Sequence, residues 1–117
     1  MSGTAQGGTA QGEADASRPG DRALHLLDKL LTERPERVGH DFSEATRCLS
    51  AYRDELIAIW RRTLDAADKR RLDQVNAVLS VVIGGHYPLG PVPWPEIEKA
   101  RRMFVSVMNG AGSSGTA

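Results

Sequence analysis

The sequence is short of several things that would assign it quickly. It holds one cysteine, Cys48, in 117 residues. A single thiol cannot close an intrachain disulfide, which fits a reducing compartment. It has no excess of either charge: 15 Lys and Arg face 15 Asp and Glu, for a formal net charge of zero. Proteins that coat polyanions need a clear cationic surplus, so that class is excluded, and an acidic disordered tail protein is argued against. No apolar run approaches the ~18 residues of a membrane-crossing helix. Met1-Ser2-Gly3-Thr4-Ala5 has neither the basic n-region nor the apolar h-region of a signal peptide. The expectation is a cytoplasmic protein with no membrane partner.

Catalytic and metal signatures are missing too. His25, His40 and His86 sit in separate segments, and the sequence contains no His-Glu-x-x-His, Glu-x-x-His or Cys-x-x-Cys. There is no Gly-x-Ser-x-Gly and no Gly-x-x-x-x-Gly-Lys to cradle a phosphate. His25 and Asp28 share a helix face, but no nucleophile accompanies them. Cys48, one position off an apolar stripe, reads as a thiol at the edge of the core. No catalytic residue, metal or cofactor is expected, and the chain is read as a non-enzyme.

What the sequence does contain is helical period. Residues 3–12 repeat Gly-Thr-Ala-Gln-Gly twice, and up to Gly20 there is no Leu, Ile, Val, Phe, Trp or Tyr. Such a segment has nothing to bury against the ~1–2 kcal/mol per residue that ordering costs. Residues 1–20 and the similar 110–117 are therefore expected to be flexible tails around a helical domain at 21–109. Within it, Asp21 can cap a first helix to about residue 34, with Leu24, Leu27 and Leu31 in one stripe and Leu26 and Leu30 beside it; Pro35 stops it. Asp41-Phe-Ser-Glu44 has the spacing of a capping box. After it Phe42, Ala45, Leu49, Tyr52, Leu56, Ile59 and Thr63 recur every three or four residues. That predicts a second helix over 42–64, about 34 Å long, packed nearly parallel or antiparallel to others. Asp65 can cap a third over 66–83, where Ala77–Ile83 is apolar except at Ser80 and so is expected to be buried nearly all round, with Gly84-Gly85 as its C-cap. Pro95 opens a fourth to residue 109, its stripe formed by Ile97, Ala100, Phe104, Val107 and Met108. The expected fold is all-α, a small four-helix bundle of up-and-down type.

Two constellations stand out as candidate sites. The 84–95 connection packs four prolines, three glycines, His86, Tyr87 and Trp94 into twelve residues. A stiff loop costs little entropy when a partner docks, and aromatic tips are the residue types that anchor interfaces. It also contains a minimal PxxP, Pro88–Pro91, a weak signal. His86, Tyr87, Leu89, Val92 and Trp94 are the candidate partner-binding residues, unless the loop is a strap tucked into the core. The second constellation is Arg61, Arg62, Lys69, Arg70 and Arg71 around the turn between helices two and three, a candidate nucleic-acid surface. Against that, the third helix turns apolar soon after its start, where a reading helix needs a solvated polar face. Extra apolar positions such as Leu26, Leu30, Ile57 and Trp60 suit either a generous core or an oligomer interface. The leading expectation is a helical adaptor acting through protein–protein contact at the loop, with homo-oligomerisation. A nucleic-acid-binding transcriptional regulator is the alternative, and a ligand- or cofactor-binding bundle the second alternative.

Overall fold

The computed structural model describes residues 18–36 and 39–113. Among them are four helices and no strand: α1 (Pro19–Glu33), α2 (His40–Thr63), α3 (Ala66–His86) and α4 (Trp94–Ser113). Of the tails expected at 1–20 and 110–117, residues 1–17 and 114–117 lie outside the described residues, while Pro19–Gly20 and 110–113 are helical and belong to α1 and α4.

Each helix packs on its two neighbours in the ring: α1 on α2, α2 on α3, α3 on α4, and α4 back on α1. All four contacts are antiparallel. Lys29 near the end of α1 pairs with Asp41 at the start of α2. Gly20 at the start of α1 lies against Met108 near the end of α4. This is the up-and-down bundle that the heptad spacing of α2 predicts.

The core is built from the apolar stripes. Leu27, Leu30, Phe42, Leu49, Val75, Val78, Val82, Ile97, Phe104 and Val107 are all but inaccessible. Tyr52 of α2 reaches diagonally to Phe104 of α4, edge to face at 5.6 Å, a favoured aromatic geometry. In α1 the buried stripe is Ala23, Leu26, Leu27 and Leu30, with Leu24 and Leu31 only partly covered. Leu26 and Leu30, read as extra width, are core, and Ile57 and Trp60 pack half-buried against it.

Several ends differ from the sequence expectation. α1 begins at Pro19, preceded by Arg18, so Asp21 sits in its first turn rather than capping it. α2 begins at His40 behind the extended Gly39, and no side chain caps it. The Asp41–Glu44 capping box does not form because other partners claim both carboxylates: Asp41 pairs with Lys29 of α1 at 3.1 Å, and Glu44 with Arg22 of α1 at 3.3 Å and with Arg47 one turn on in α2. Asp65 does cap α3, accepting the Ala67 N–H at 3.3 Å. α1 and α2 close on left-handed residues that are not glycine, Arg34 (φ 43°) and Leu64 (φ 51°). In each the N–H still reaches the carbonyl four residues back, at 2.7 Å.

The largest difference is in α3. Gly84 and Gly85 are not its C-cap; the helix runs through both to His86, and neither has a positive φ. A Cβ on Gly85 would stand 3.0 Å from Ile97 Cδ1 and 3.0 Å from Phe42 Cε1. Gly85 is there so that α3 can approach α2 and α4. Nor is Ala77–Ile83 buried all round: Ala77, Ser80, Ile83 and Gly84 are exposed. A helix in a four-membered ring has two neighbours, so its outer face stays open whatever its composition.

Candidate functional site

The antiparallel ring brings the α1–α2 link and the α3–α4 loop to the same end of the bundle, and Phe42 is the pivot there. Its ring is fully buried, with Trp94 5.9 Å and His86 6.3 Å away between ring centroids. Trp94 opens α4, and its N–H donates to the Val92 carbonyl at 2.9 Å, closing a tight turn at Pro93. The Pro93 carbonyl in turn accepts the Ile97 N–H at 3.1 Å and starts α4. Val92 and Trp94 pack partly buried against the core. His86 is partly buried, and its Nδ1 is enclosed with no hydrogen-bond partner among the described residues.

The loop therefore divides. Val92 and Trp94 hold it to the bundle, and His86 packs beside Phe42; a strap with Tyr87, Leu89, Val92 and Trp94 all tucked into the core is met at only the last two. Tyr87 and Leu89 stand out from it, 72% and 106% exposed. The Tyr87 ring rests edge-on against His86 at 4.4 Å, so the exposed tyrosine sits on a supported base rather than a free stem. Two hollows flank the loop. One is lined by Ser43, Thr46, Ile83, His86 and Tyr87. The other lies between Arg34–Glu36 and Pro91, Val92 and Trp94. Sequence reasoning placed the five loop residues in one class. What separates them is packing against side chains of other helices, with Phe42 beside His86 and Trp94, which has no local signal.

At the opposite end the basic turn is partly spoken for. Arg71 pairs with Asp68, which is buried and also accepts the Thr63 hydroxyl at 2.6 Å. Lys69 pairs with Asp73 at 2.9 Å and lies 5.8 Å from the Trp60 ring centroid. Arg61, Arg62 and Arg70 are exposed and make no ion pair among the described residues. Five cations in the sequence become three uncommitted ones. Exposed between them, at the tip of the turn, is Leu64, 72% open.

Elsewhere, Cys48 is buried, as read from the sequence. Burial, and then the Glu44 carboxylate 3.9 Å from its sulfur, pushes the thiol above its ordinary value. That is the opposite of the activation a nucleophilic cysteine needs. Among the described residues, no three His, Cys, Asp or Glu side chains gather as a metal-ligand set. Among the described residues, no helix is long and apolar enough to cross a membrane.

Fold and surface together define a small antiparallel four-helix bundle that displays one apolar, proline-stiffened loop from a bundle end. No protein-family model, no curated protein and no solved structure matches the chain.

Proposed function

We propose that the protein is a non-enzymatic helical adaptor that binds another protein through the tip of the α3–α4 loop, with Tyr87 and Leu89 making the contact. The observation that carries this reading is the division of the loop: Trp94 and His86 pack beside Phe42 and Val92 packs on the core, while Tyr87 and Leu89 are largely exposed. Exposing Tyr and Leu on a rigid support gives a partner a preorganised apolar anchor at low entropic cost. The hollow beside Tyr87, lined by Ser43, Thr46 and Ile83, adds the exposed Ser43 hydroxyl for a hydrogen bond at the rim of such a contact, the Thr46 hydroxyl already donating to the Phe42 carbonyl.

The test is a pull-down from lysate, with and without nuclease treatment, with wild type beside the Tyr87→Ala/Leu89→Ala variant. A stoichiometric protein retained by wild type and lost by the variant, with the thermal midpoint unchanged, is the expected result. Equal retention by both, or retention that disappears on nuclease treatment, overturns it; the latter turns attention to Arg61, Arg62 and Arg70. Trp94 is unsuited to this test because its removal also undermines the start of α4.

A further inference from the structure

We propose that the α2–α3 turn docks on an anionic lipid surface, with Leu64 entering the headgroup layer and Arg61, Arg62 and Arg70 on lipid phosphates around it. The chain as a whole is neutral, but residues 61–71 hold five cations against two acids. Both acids have a task within the fold: Asp65 caps α3, and the buried Asp68 holds Arg71 and the Thr63 hydroxyl. Lys69 is held by Asp73. Three exposed guanidiniums are left over, two in the last turn of α2 and one in the second turn of α3.

Leu64 is a second, independent observation. It closes α2 in the left-handed region at φ 51°, where glycine sits without cost and a leucine does not. Arg34 closes α1 in the same way, at φ 43°, but its Nε donates to the Leu31 carbonyl at 3.1 Å, so that side chain serves the helix end. Leu64 is 72% exposed and packs with neither the core nor the partly buried side chains around it. Nothing inside the fold explains a strained backbone that holds an apolar side chain in water between free cations; what it meets outside does.

An anionic bilayer surface answers to both features. Guanidiniums match phosphate with their forked donors, and an apolar side chain at the tip of a turn whose residues 61–67 are all exposed can enter the headgroup–acyl boundary. The phosphate chain of a nucleic acid answers only to the arginines and sets Leu64 against charge. The nearby Trp60 ring packs partly buried on the core with Lys69 5.8 Å from its centroid, so it is not free to stack on a base. A surface contact needs no membrane-crossing run, so the expectation of no membrane partner, drawn from the lack of one, does not reach it. The turn lies at the bundle end opposite Tyr87 and Leu89, so the chain can rest on lipid and still present the α3–α4 loop.

The experiment is co-sedimentation of the full chain with phosphatidylcholine vesicles, with and without about one third phosphatidylserine, at about 50 mM and about 500 mM salt. Wild type is expected on the anionic vesicles at low salt only. Arg61→Gln, Arg62→Gln and Arg70→Gln should each weaken partitioning about fivefold. Leu64→Gly should weaken it about tenfold with the thermal midpoint at or above that of wild type, a pairing that loss of structure cannot give. Far-UV circular dichroism checks that each variant keeps its helices; where an arginine variant does not, the salt series on wild type reads the same charge requirement. Wild type left in the supernatant at millimolar anionic lipid and low salt overturns the proposal. So does Leu64→Gly bound as tightly as wild type. A duplex-DNA gel shift tighter than vesicle binding and indifferent to Leu64→Gly overturns it too, and gives the arginines to a nucleic-acid backbone. Tyr87→Ala/Leu89→Ala should bind vesicles as wild type does; its loss of binding would put the lipid contact at the other end and overturn this one. Partner capture through Tyr87 and Leu89 is read separately, since Leu64→Gly and the arginine variants change neither residue.

Discussion

Two neighbouring glycines offer the most direct check on the packing. Gly84 and Gly85 are both interior to α3, and both lack a positive φ. Replacing a helical glycine by alanine removes backbone freedom from the unfolded chain and stabilises by up to about 1 kcal/mol. At Gly84 nothing opposes that gain, since the new methyl meets no atom within 4 Å. At Gly85 the methyl would stand 3.0 Å from both Ile97 Cδ1 and Phe42 Cε1. Both side chains are fully buried and have little room to give, so overpacking of about 1–3 kcal/mol is set against the same gain. Because the propensity gain is common to both, the difference between Gly84→Ala and Gly85→Ala isolates the packing cost. The two variants should differ by about 1–3 kcal/mol, with Gly84→Ala above wild type and Gly85→Ala at or below it. Urea unfolding followed by circular dichroism in dilute protein measures this, and each kcal/mol separates the thermal midpoints by about 4–8 °C in a domain of this size. Equal stabilisation of both would refute the close approach of α3 to Phe42 and Ile97. Destabilisation of both would mean that the glycines form a left-handed cap after all.

Tyr52 should make the bundle alkali-sensitive. Burial raises its phenol above the ordinary value of 10.0, so the native state holds that proton more tightly than the unfolded chain. Its contribution is complete below pH 10 and is lost as pH rises through the folded value, and Tyr52→Phe should flatten the alkaline limb of a stability-against-pH curve. Asp68→Ala should cost about 2–3 kcal/mol in chemical denaturation, because it removes the acceptor of the Thr63 hydroxyl and leaves the largely covered Arg71 unpaired. Leu64→Gly should stabilise by about 0.5–1 kcal/mol, since Leu64 holds φ 51° and is 72% exposed; a loss would mean that its side chain is engaged. Cys48 should react slowly with a thiol reagent at neutral pH in the native protein and rapidly in urea; equal rates would contradict its burial.

Helix type and number were legible in the residue pattern because periodicity is a local property. Phe42, Ala45, Leu49 and Leu56 fall on one stripe of α2 whatever packs against it, and all four are buried. Helix ends were less legible, because a cap competes with tertiary partners. Asp65 caps α3, where its alternatives are few, whereas Asp41 and Glu44 turn to Lys29, Arg22 and Arg47. The basic turn shrank for a local reason instead: Asp68 and Asp73, one turn away on the same helix, take up Arg71 and Lys69.

The amino-acid order by itself determined an all-α chain with four apolar stripes, a stiff loop between the last two helices and a thiol at the core, because each of these follows from spacing within one segment. Only the tertiary structure decided which loop residues anchor and which are displayed, since that depends on Phe42, four dozen positions upstream. It also decided that Gly85 is a packing residue and Gly84 an open one. Two adjacent glycines are indistinguishable in sequence; a helix separates them by about 100° around its axis, turning one to Phe42 and the other to solvent.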